Sequence, residues 1–282
     1  MSIQFILDST THVSKAVEHR FRIVPLTVHF GAQEYLDGVT ISGERFYEML
    51  VECDTLPTTS QPTPDAYIRA YDTALKEADQ VIVLTVASNL SGTYQSATIA
   101  AAEFPAGKIF VVDTHNVAIA AGILAELALQ MADSGLCAEE IVAKLERERT
   151  KLRLVALVDT LEYLQKGGRL SKTVAFAGTL LSIKPVIALD KGEIKVLGKA
   201  RGSKQGNNLL VQQIEQAGGV DFSKPLLLGY TGLSDHLLKK YIEDSGHLWK
   251  NHRDEPEACL IGSVIGTHIG PGAVAVAFFQ QD

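Results

Sequence analysis

VIVLTVASNLSGTYQSATIAAAEF, residues 81–104, moves from an aliphatic, β-branched run through a short polar loop into an alanine-rich stretch. That order predicts a buried strand, a turn and a helix, with Asn89 or Ser91 available as the helix cap and Thr93 placed to serve its first turn. In an open α/β sheet such a loop lies beyond the carboxyl end of its strand. There the unpaired N–H groups and the positive dipole end of the helix favour an anion. Capping alone needs one hydroxyl. Ser88, Ser91 and Thr93 offer three, and Gly92 lets a ligand approach the backbone, so binding and plain capping are equally supported by the spacing.

The same rhythm extends outward. Short β-rich runs at Ile3–Leu7, Ile109–Val112 and Leu154–Val158 are each followed by polar or small residues and a helix-like stretch. NVAIAAGILAELALQMADSG, residues 116–135, is strongly helical and stops at Gly135, and CAEEIVAKLERERTKL, residues 137–152, adds an amphipathic helix. Alternation of this kind predicts an α/β domain with a mostly parallel sheet and helices on both faces. Beyond residue 160 the pattern changes. KPVIALDKGEIKVLGKARG, residues 184–202, predicts an antiparallel hairpin turning at Asp190-Lys191-Gly192-Glu193. A helix from Ser203, a strand at PLLLGY, a helix around His236–His247 and two last strands, ACLIGSVIG and AVAVAFFQ, predict an α+β layer with a mixed sheet. With no repeat and no flexible linker, the expectation is two closely packed domains, residues 1–160 and 161–282, with a ligand site between them.

Composition narrows the function classes. A chain of 282 residues with 46% hydrophobic content can bury a sizeable core, and a net charge of −7 leaves no basic face for nucleic acid. Cys53, Cys137 and Cys259 are too few and too scattered for a disulfide framework or a zinc site, which suits a reducing compartment. MSIQFILDST reaches an aspartate after a short β-rich run, unlike a signal peptide, and the longest apolar runs are too short to span a bilayer. A cytoplasmic location is expected, with no metal or cofactor.

Further polar clusters stand out. Asp8-Ser9-Thr10-Thr11 directly follows the first strand, where an open α/β sheet places its ligands; capping and turn formation explain it more simply, and binding is the alternative. PTTSQP, residues 57–62, holds Thr58, Thr59, Ser60 and Gln61 between prolines that restrict the backbone, as either a presented binding loop or a rigid crossover. TLEYLQKGGRLSKT sets Lys166, Arg169 and Lys172 around a glycine pair without the order of a phosphate-binding loop; contact with an acidic partner and simple solvation both fit. Arg201 ends the hairpin with a guanidinium suited to a carboxylate or phosphate, or simply solvated. Gly266-Thr267-His268-Ile269-Gly270-Pro271-Gly272 puts a histidine in a glycine-rich loop, where it could lend a donor to an anion or be structural. Nucleophile elbow, zinc-protease and dinucleotide-binding motifs are all missing. A stand-alone hydrolase or acyltransferase using Ser91 or Thr59 with His268 as base stays open, because such partners need not be near in sequence.

The segments PTTSQP, LSGTYQSA, YLQKGGRLSKT, LLSIKPVIALDKGEI, KARG and IGTHIGPGAVAV, in this order and at these distances, resemble the DegV family of bacterial fatty-acid-binding proteins over essentially the whole chain. The resemblance implies a two-domain protein that holds a long-chain fatty acid between its lobes. It also implies a non-catalytic subunit that presents the acid to a separate fatty acid kinase, which makes an acyl phosphate for phospholipid synthesis; transient membrane contact for lipid exchange suits that role. It places Thr59 and Ser91 on the carboxylate, with Ser60 and Gly92 beside them, and Arg201 and His268 near the head group. Arg169 is similar to the arginine that family members use in docking the kinase. A fatty acid of about C14 to C18 is implied, whose tail would contribute roughly 0.8 kcal/mol per buried methylene before the cost of ordering. His12 departs from the family pattern, standing where many members carry a second aspartate, and this puts the local capping in doubt.

Overall fold

The computed structural model describes residues 2–170, 183–250 and 256–281. The chain begins with β1 (Ile3–Asp8), β2 (Phe21–Val24), β3 (Thr27–Phe30) and β4 (Gln33–Leu36), then α1 (Gly43–Glu52) and β5 (Thr58–Ser60). There follow α2 (Pro64–Ala74), β6 (Gln80–Thr85), α3 (Thr93–Ala101), β7 (Ile109–Asp113), α4 (Ala118–Asp133) and α5 (Ala138–Glu148). The remainder is β8 (Leu152–Leu157), α6 (Glu162–Lys166), the pair β9 (Ile183–Asp190) and β10 (Glu193–Arg201), α7 (Gly202–Gln216), β11 (Leu227–Tyr230), α8 (His236–Asp244), β12 (Ala258–Leu260), α9 (Ser263–Ile269) and β13 (Val274–Phe279).

The alternation of the first half builds a four-stranded parallel sheet in the order β2-β1-β6-β7. Successive residues of its central strands point to opposite faces. Ile6, Val81 and Val83 pack with Tyr67 and Tyr71 of α2 and Ala97 and Ala100 of α3. Phe5, Leu7, Ile82 and Leu84 pack with Ile119 and Ile123 of α4 and Ile141 of α5. Local chemistry sets several helix starts: Ser42 accepts from the Arg45 N–H, Thr63 from the Ala66 N–H ahead of Pro64, and Glu140 from the Cys137 N–H. The α3 cap is Gly92, and Ser91 accepts from the Thr93 N–H one residue into the helix.

The second half contains a six-stranded mixed sheet, β10-β9-β8-β13-β11-β12, in which only β11 and β12 pair in parallel. The hairpin turn lies where expected, with Lys191 at φ 50° and Gly192 at φ 79°, the pair of positive values that a tight two-residue turn needs. Two readings require correction. The run Leu154–Val158 does not extend the parallel sheet, because β8 pairs antiparallel with β13 and β9. ACLIGSVIG is a strand only for its first three residues and enters α9 at Ser263, so His268 lies in the last turn of a helix rather than in a loop. Gly270, at φ 74°, ends that helix.

A third sheet, β4-β3-β5, is small and antiparallel, and it contains the polar stretch around Thr59. That stretch is therefore a strand held by β3, with Val28 opposite Thr59, and not a free crossover. Between the two larger sheets runs α4, whose buried residues cover its whole circumference. Its Gly122 is needed for close approach: a Cβ there would lie 1.8 Å from the His12 carbonyl oxygen. Among the described residues no helix is long and apolar enough to cross a membrane.

Candidate functional site

The carboxyl ends of the parallel strands face the six-stranded sheet across a cavity with about 860 Å³ of free space, its open mouth included. Thr10, Val86 and Val117 come from the loops after β1, β6 and β7, and Ala118 is the first residue of α4. Leu154 and Ala156 of β8, Ile187 of β9, Ile194 of β10 and Ala275 of β13 supply the opposite wall. The inward face of α9, with Val264, Ile265, His268 and Ile269, closes a third side. Among the described residues, the lining side chains are apolar except Thr10, Thr59, Ser91, Arg169 and His268. An apolar pocket with few polar groups fits a ligand that is mostly hydrocarbon.

Thr59 and His268 meet at this cavity, with Oγ1 of Thr59 2.8 Å from Nε2 of His268. β5 holds the threonine and α9 the histidine, so the contact depends on how the small sheet packs against that helix. Burial, and then the nearby Arg169 cation, lower the His268 pKa to about 4, which leaves the ring neutral at ordinary pH. Its Nδ1 is buried and makes no hydrogen bond among the described residues. Gly167 leaves room for the ring, since a Cβ there would stand 2.5 Å from Nδ1.

Ser91 also lines the cavity, 2.8 Å from the hydroxyl of the buried Thr93. Arg169 is half-buried, anchored through Nε to the Leu90 carbonyl at 3.2 Å and through Nη1 to the Gly167 carbonyl at 2.7 Å. A hydroxyl pair, a neutral imidazole and a guanidinium together have the chemistry to hold a single carboxylate or similar anion. The remaining guanidinium hydrogens and the Ser91 hydroxyl supply donors without a metal. Among the described residues, no group of histidine, cysteine, aspartate and glutamate side chains is arranged to hold a metal ion.

Of the residues singled out from sequence, Thr59, Ser91 and His268 converge on the cavity and Arg201, Ser60 and Gly92 do not line it. Arg201 is exposed at the end of β10, where its backbone N–H donates to Gln205, because the strand runs past the cavity before α7 begins. The Ser60 hydroxyl lies 2.9 Å from His29 Nε2, since alternation along β5 turns it away from Thr59. Gly92 instead makes room for the Gln61 side chain, whose Oε1 would be 2.1 Å from a Cβ at that position. Arg169, considered only as a docking group, lines the cavity as its one cation among the described residues, and Lys172 from the same segment lies outside them. Thr10, assigned to capping, lines the cavity while its hydroxyl donates to the buried Asp8 carboxylate at 2.5 Å. The glycine pair before Arg169 was the visible signal, because a residue after such a tight turn can fold back; Thr10 was marked by its place just beyond the carboxyl end of the first strand.

A model of the DegV family of uncharacterised proteins matches residues 2–281. A DegV domain-containing protein of Caldanaerobacter subterraneus is 32% identical, with 99% of each chain covered. The solved structure of a DegV family protein from Thermus thermophilus, described as binding fatty acid, superposes with a TM-score of 0.86 at 32% identity over 100% of both chains. A stearic-acid-binding protein from Eubacterium ventriosum superposes with a TM-score of 0.86 at 26% identity, covering 99% of this chain and 98% of that one. Sequence and architecture therefore agree from end to end: this chain belongs to the DegV family.

Proposed function

We propose that this protein binds a long-chain fatty acid, with the carboxylate at Thr59, Ser91, Arg169 and His268 and the tail in the apolar cavity. The single observation that carries the reading is the composition of the cavity wall: among the described residues, polar groups are confined to a few side chains and the rest is aliphatic. The fatty-acid-binding descriptions of the Thermus and Eubacterium ventriosum proteins support the same reading. Each buried methylene would contribute roughly 0.8 kcal/mol, so affinity comes from the tail while the polar end fixes orientation.

The head-group geometry constrains how the acid is held. Thr59 has one hydroxyl hydrogen, so it can donate to a carboxylate only if it accepts from His268. That requires the neutral tautomer with hydrogen on Nε2. The buried, unpartnered Nδ1 then carries a lone pair rather than a stranded donor. Ser91 can likewise donate outward if Thr93 donates to it.

We further propose that the protein is a non-catalytic carrier in the cytoplasm, presenting the acid to a separate kinase that forms an acyl phosphate for phospholipid synthesis. Half-buried Ser91 and Arg169 support this role, because the polar end is then reachable from outside while the tail stays covered. The Thr59–His268 pair also invites a hydrolase or acyltransferase reading. Against it, the depressed basicity of His268 and the lack, among the described residues, of a group orienting Nδ1 leave a poor general base.

Mass spectrometry of the freshly purified protein under non-denaturing conditions tests the proposal. The expected result is a noncovalent adduct with the mass of a long-chain fatty acid. An empty protein that takes up no added stearate would overturn it, and covalent labelling of Ser91 or Thr59 by a serine-directed phosphonate would favour the enzyme. Addition of a fatty acid kinase and ATP should then consume the bound acid; acid that persists would reject the presenting role.

A further inference from the structure

His12 lies just after the first strand and is linked to a helix far along the chain. Its Nδ1 is 2.9 Å from the Thr10 carbonyl oxygen, and its Nε2 accepts from the Gly262 N–H at 2.7 Å. A carbonyl can only accept and an amide N–H can only donate, so the two contacts together specify the neutral ring with hydrogen on Nδ1. Thr10 lines the cavity, and Gly262 is the N-cap of α9, which carries His268.

A helix of seven residues is marginal by itself, and Gly262 has no side chain to cap its N–H groups. Other parts of the chain supply the partners. His12 takes the Gly262 N–H, and the buried Asp37 carboxylate takes the Ser263 N–H at 3.2 Å and also the Ser263 hydroxyl. There is little room for rearrangement, because a Cβ on Gly262 would lie 2.9 Å from His12 Nε2. Across α9, a Cβ on Gly266 would lie 2.6 Å from Phe46.

We propose that His12 is a positioning residue: as a neutral imidazole it pins the loop of Thr10 to the start of α9, and so sets His268 against Thr59 at the other end of that helix. Protonation would turn Nε2 into a donor facing the Gly262 N–H and break the pin. The charged groups facing His12 are Asp37 and, from the turn before β2, Glu18, and both favour the protonated ring. Burial opposes them and prevails, holding the His12 pKa below its ordinary value. The pin therefore holds at neutral pH and opens only in acid.

The effect on ligand rests on the fatty-acid reading, whereas the effect on α9 does not, so two readouts separate them. Amide hydrogen exchange of residues 262–269 and the affinity for stearate are measured for the wild type and for His12→Ala, His12→Gln and His12→Asn. Glutamine can place its carbonyl oxygen near the Nε2 position and keep the Gly262 bond, whereas asparagine reaches only the Thr10 side. Expected are exchange faster by about tenfold and stearate binding weaker by about tenfold in His12→Ala and His12→Asn, with both close to wild type in His12→Gln. Imidazole nitrogen shifts should show hydrogen on Nδ1 at neutral pH. As the pH falls below the ordinary histidine value of 6.5, far enough to protonate the ring, the stearate affinity of the wild type should fall relative to that of His12→Gln. Unchanged exchange in both His12→Ala and His12→Asn, or an Nε2-protonated tautomer, overturns the pin. Stearate that fails to bind even the wild type rejects the fatty-acid reading, while hydrogen exchange still decides the pin. Should His12→Ala not fold, His12→Asn against His12→Gln makes the same comparison.

Discussion

Thr59 and His268 are 209 positions apart in sequence and 2.8 Å apart at the wall of the cavity. One belongs to a strand of the small sheet and the other to the last turn of α9, so neither element forms the polar end alone. Their hydrogen bond leaves the Thr59 hydroxyl free to donate to a ligand only when the histidine does the donating.

Removing that hydroxyl should be costly, and changing its surroundings should not. Thr59→Val is expected to weaken stearate binding about tenfold, leaving the His268 nitrogen and the carboxylate both short of a partner. Thr59→Ser should stay within about threefold of wild type, since the donor remains. Competition with a fluorescent fatty acid measures both; equal affinities for valine and serine would remove Thr59 from the site.

Arg169 should discriminate charge. Arg169→Met is expected to lower affinity for stearate by about tenfold or more while leaving a fatty alcohol of the same length nearly unaffected. The same substitution removes the cation that helps hold His268 neutral, so the His268 pKa should rise from about 4 toward its ordinary value. Titration of the imidazole by NMR reads this directly, and a pKa that stays put would mean that burial acts alone.

The burial of His268 also predicts a pH dependence of stability. Its folded pKa, about 4, lies below the ordinary value of 6.5, so the unfolded chain binds the proton more readily between those limits. The contribution is fully present above pH 6.5 and is lost as pH falls toward 4, up to about 3 kcal/mol. His268→Gln should flatten this part of the curve. Urea midpoints across the range supply the comparison, and parallel curves for the two proteins would rule out the linkage.

Gly122 offers a test of the packing between α4 and the loop after β1. Alanine in a helix interior normally stabilises relative to glycine by about 1 kcal/mol. Here the added carbon would lie 1.8 Å from the His12 carbonyl oxygen, so Gly122→Ala should destabilise by at least about 2 kcal/mol. Thermal melting decides the sign, and a melting temperature equal to or above wild type would show that the loop yields.

Local chemistry determined a large part of this protein before any contact across the chain was considered. The aliphatic runs at Ile3–Leu7 and Val81–Val86 form adjacent strands of the parallel sheet, and the second leads into α3 as its pattern predicts. The helix expected after the first run is instead a short turn of Glu18–Arg20 before β2, because β2 pairs directly with β1. Asp190-Lys191-Gly192-Glu193 determined the hairpin locally: the turn needs positive φ at two adjacent residues, and Gly192 provides one at no cost. Thr59, Ser91 and His268 were visible in the sequence as polar groups with capping, crossover and structural alternatives, and the resemblance to the DegV family is what singled them out.

Partnership was decided only by the tertiary structure. The run at Leu154–Val158 suits either sheet, and its neighbours β13 and β9 lie later in the chain. ACLIGSVIG has strand-like residues throughout, yet it turns helical at Ser263 because His12 and Asp37 satisfy the helix start from far away. Arg169 reaches the cavity and Arg201 misses it, although both follow plausible turns, because side-chain reach is set by where each turn sits on the assembled sheets. Sequence determined which residues could bind a carboxylate and that a large apolar interior was available; packing determined which of them share one cavity, since that depends on contacts with no local signature.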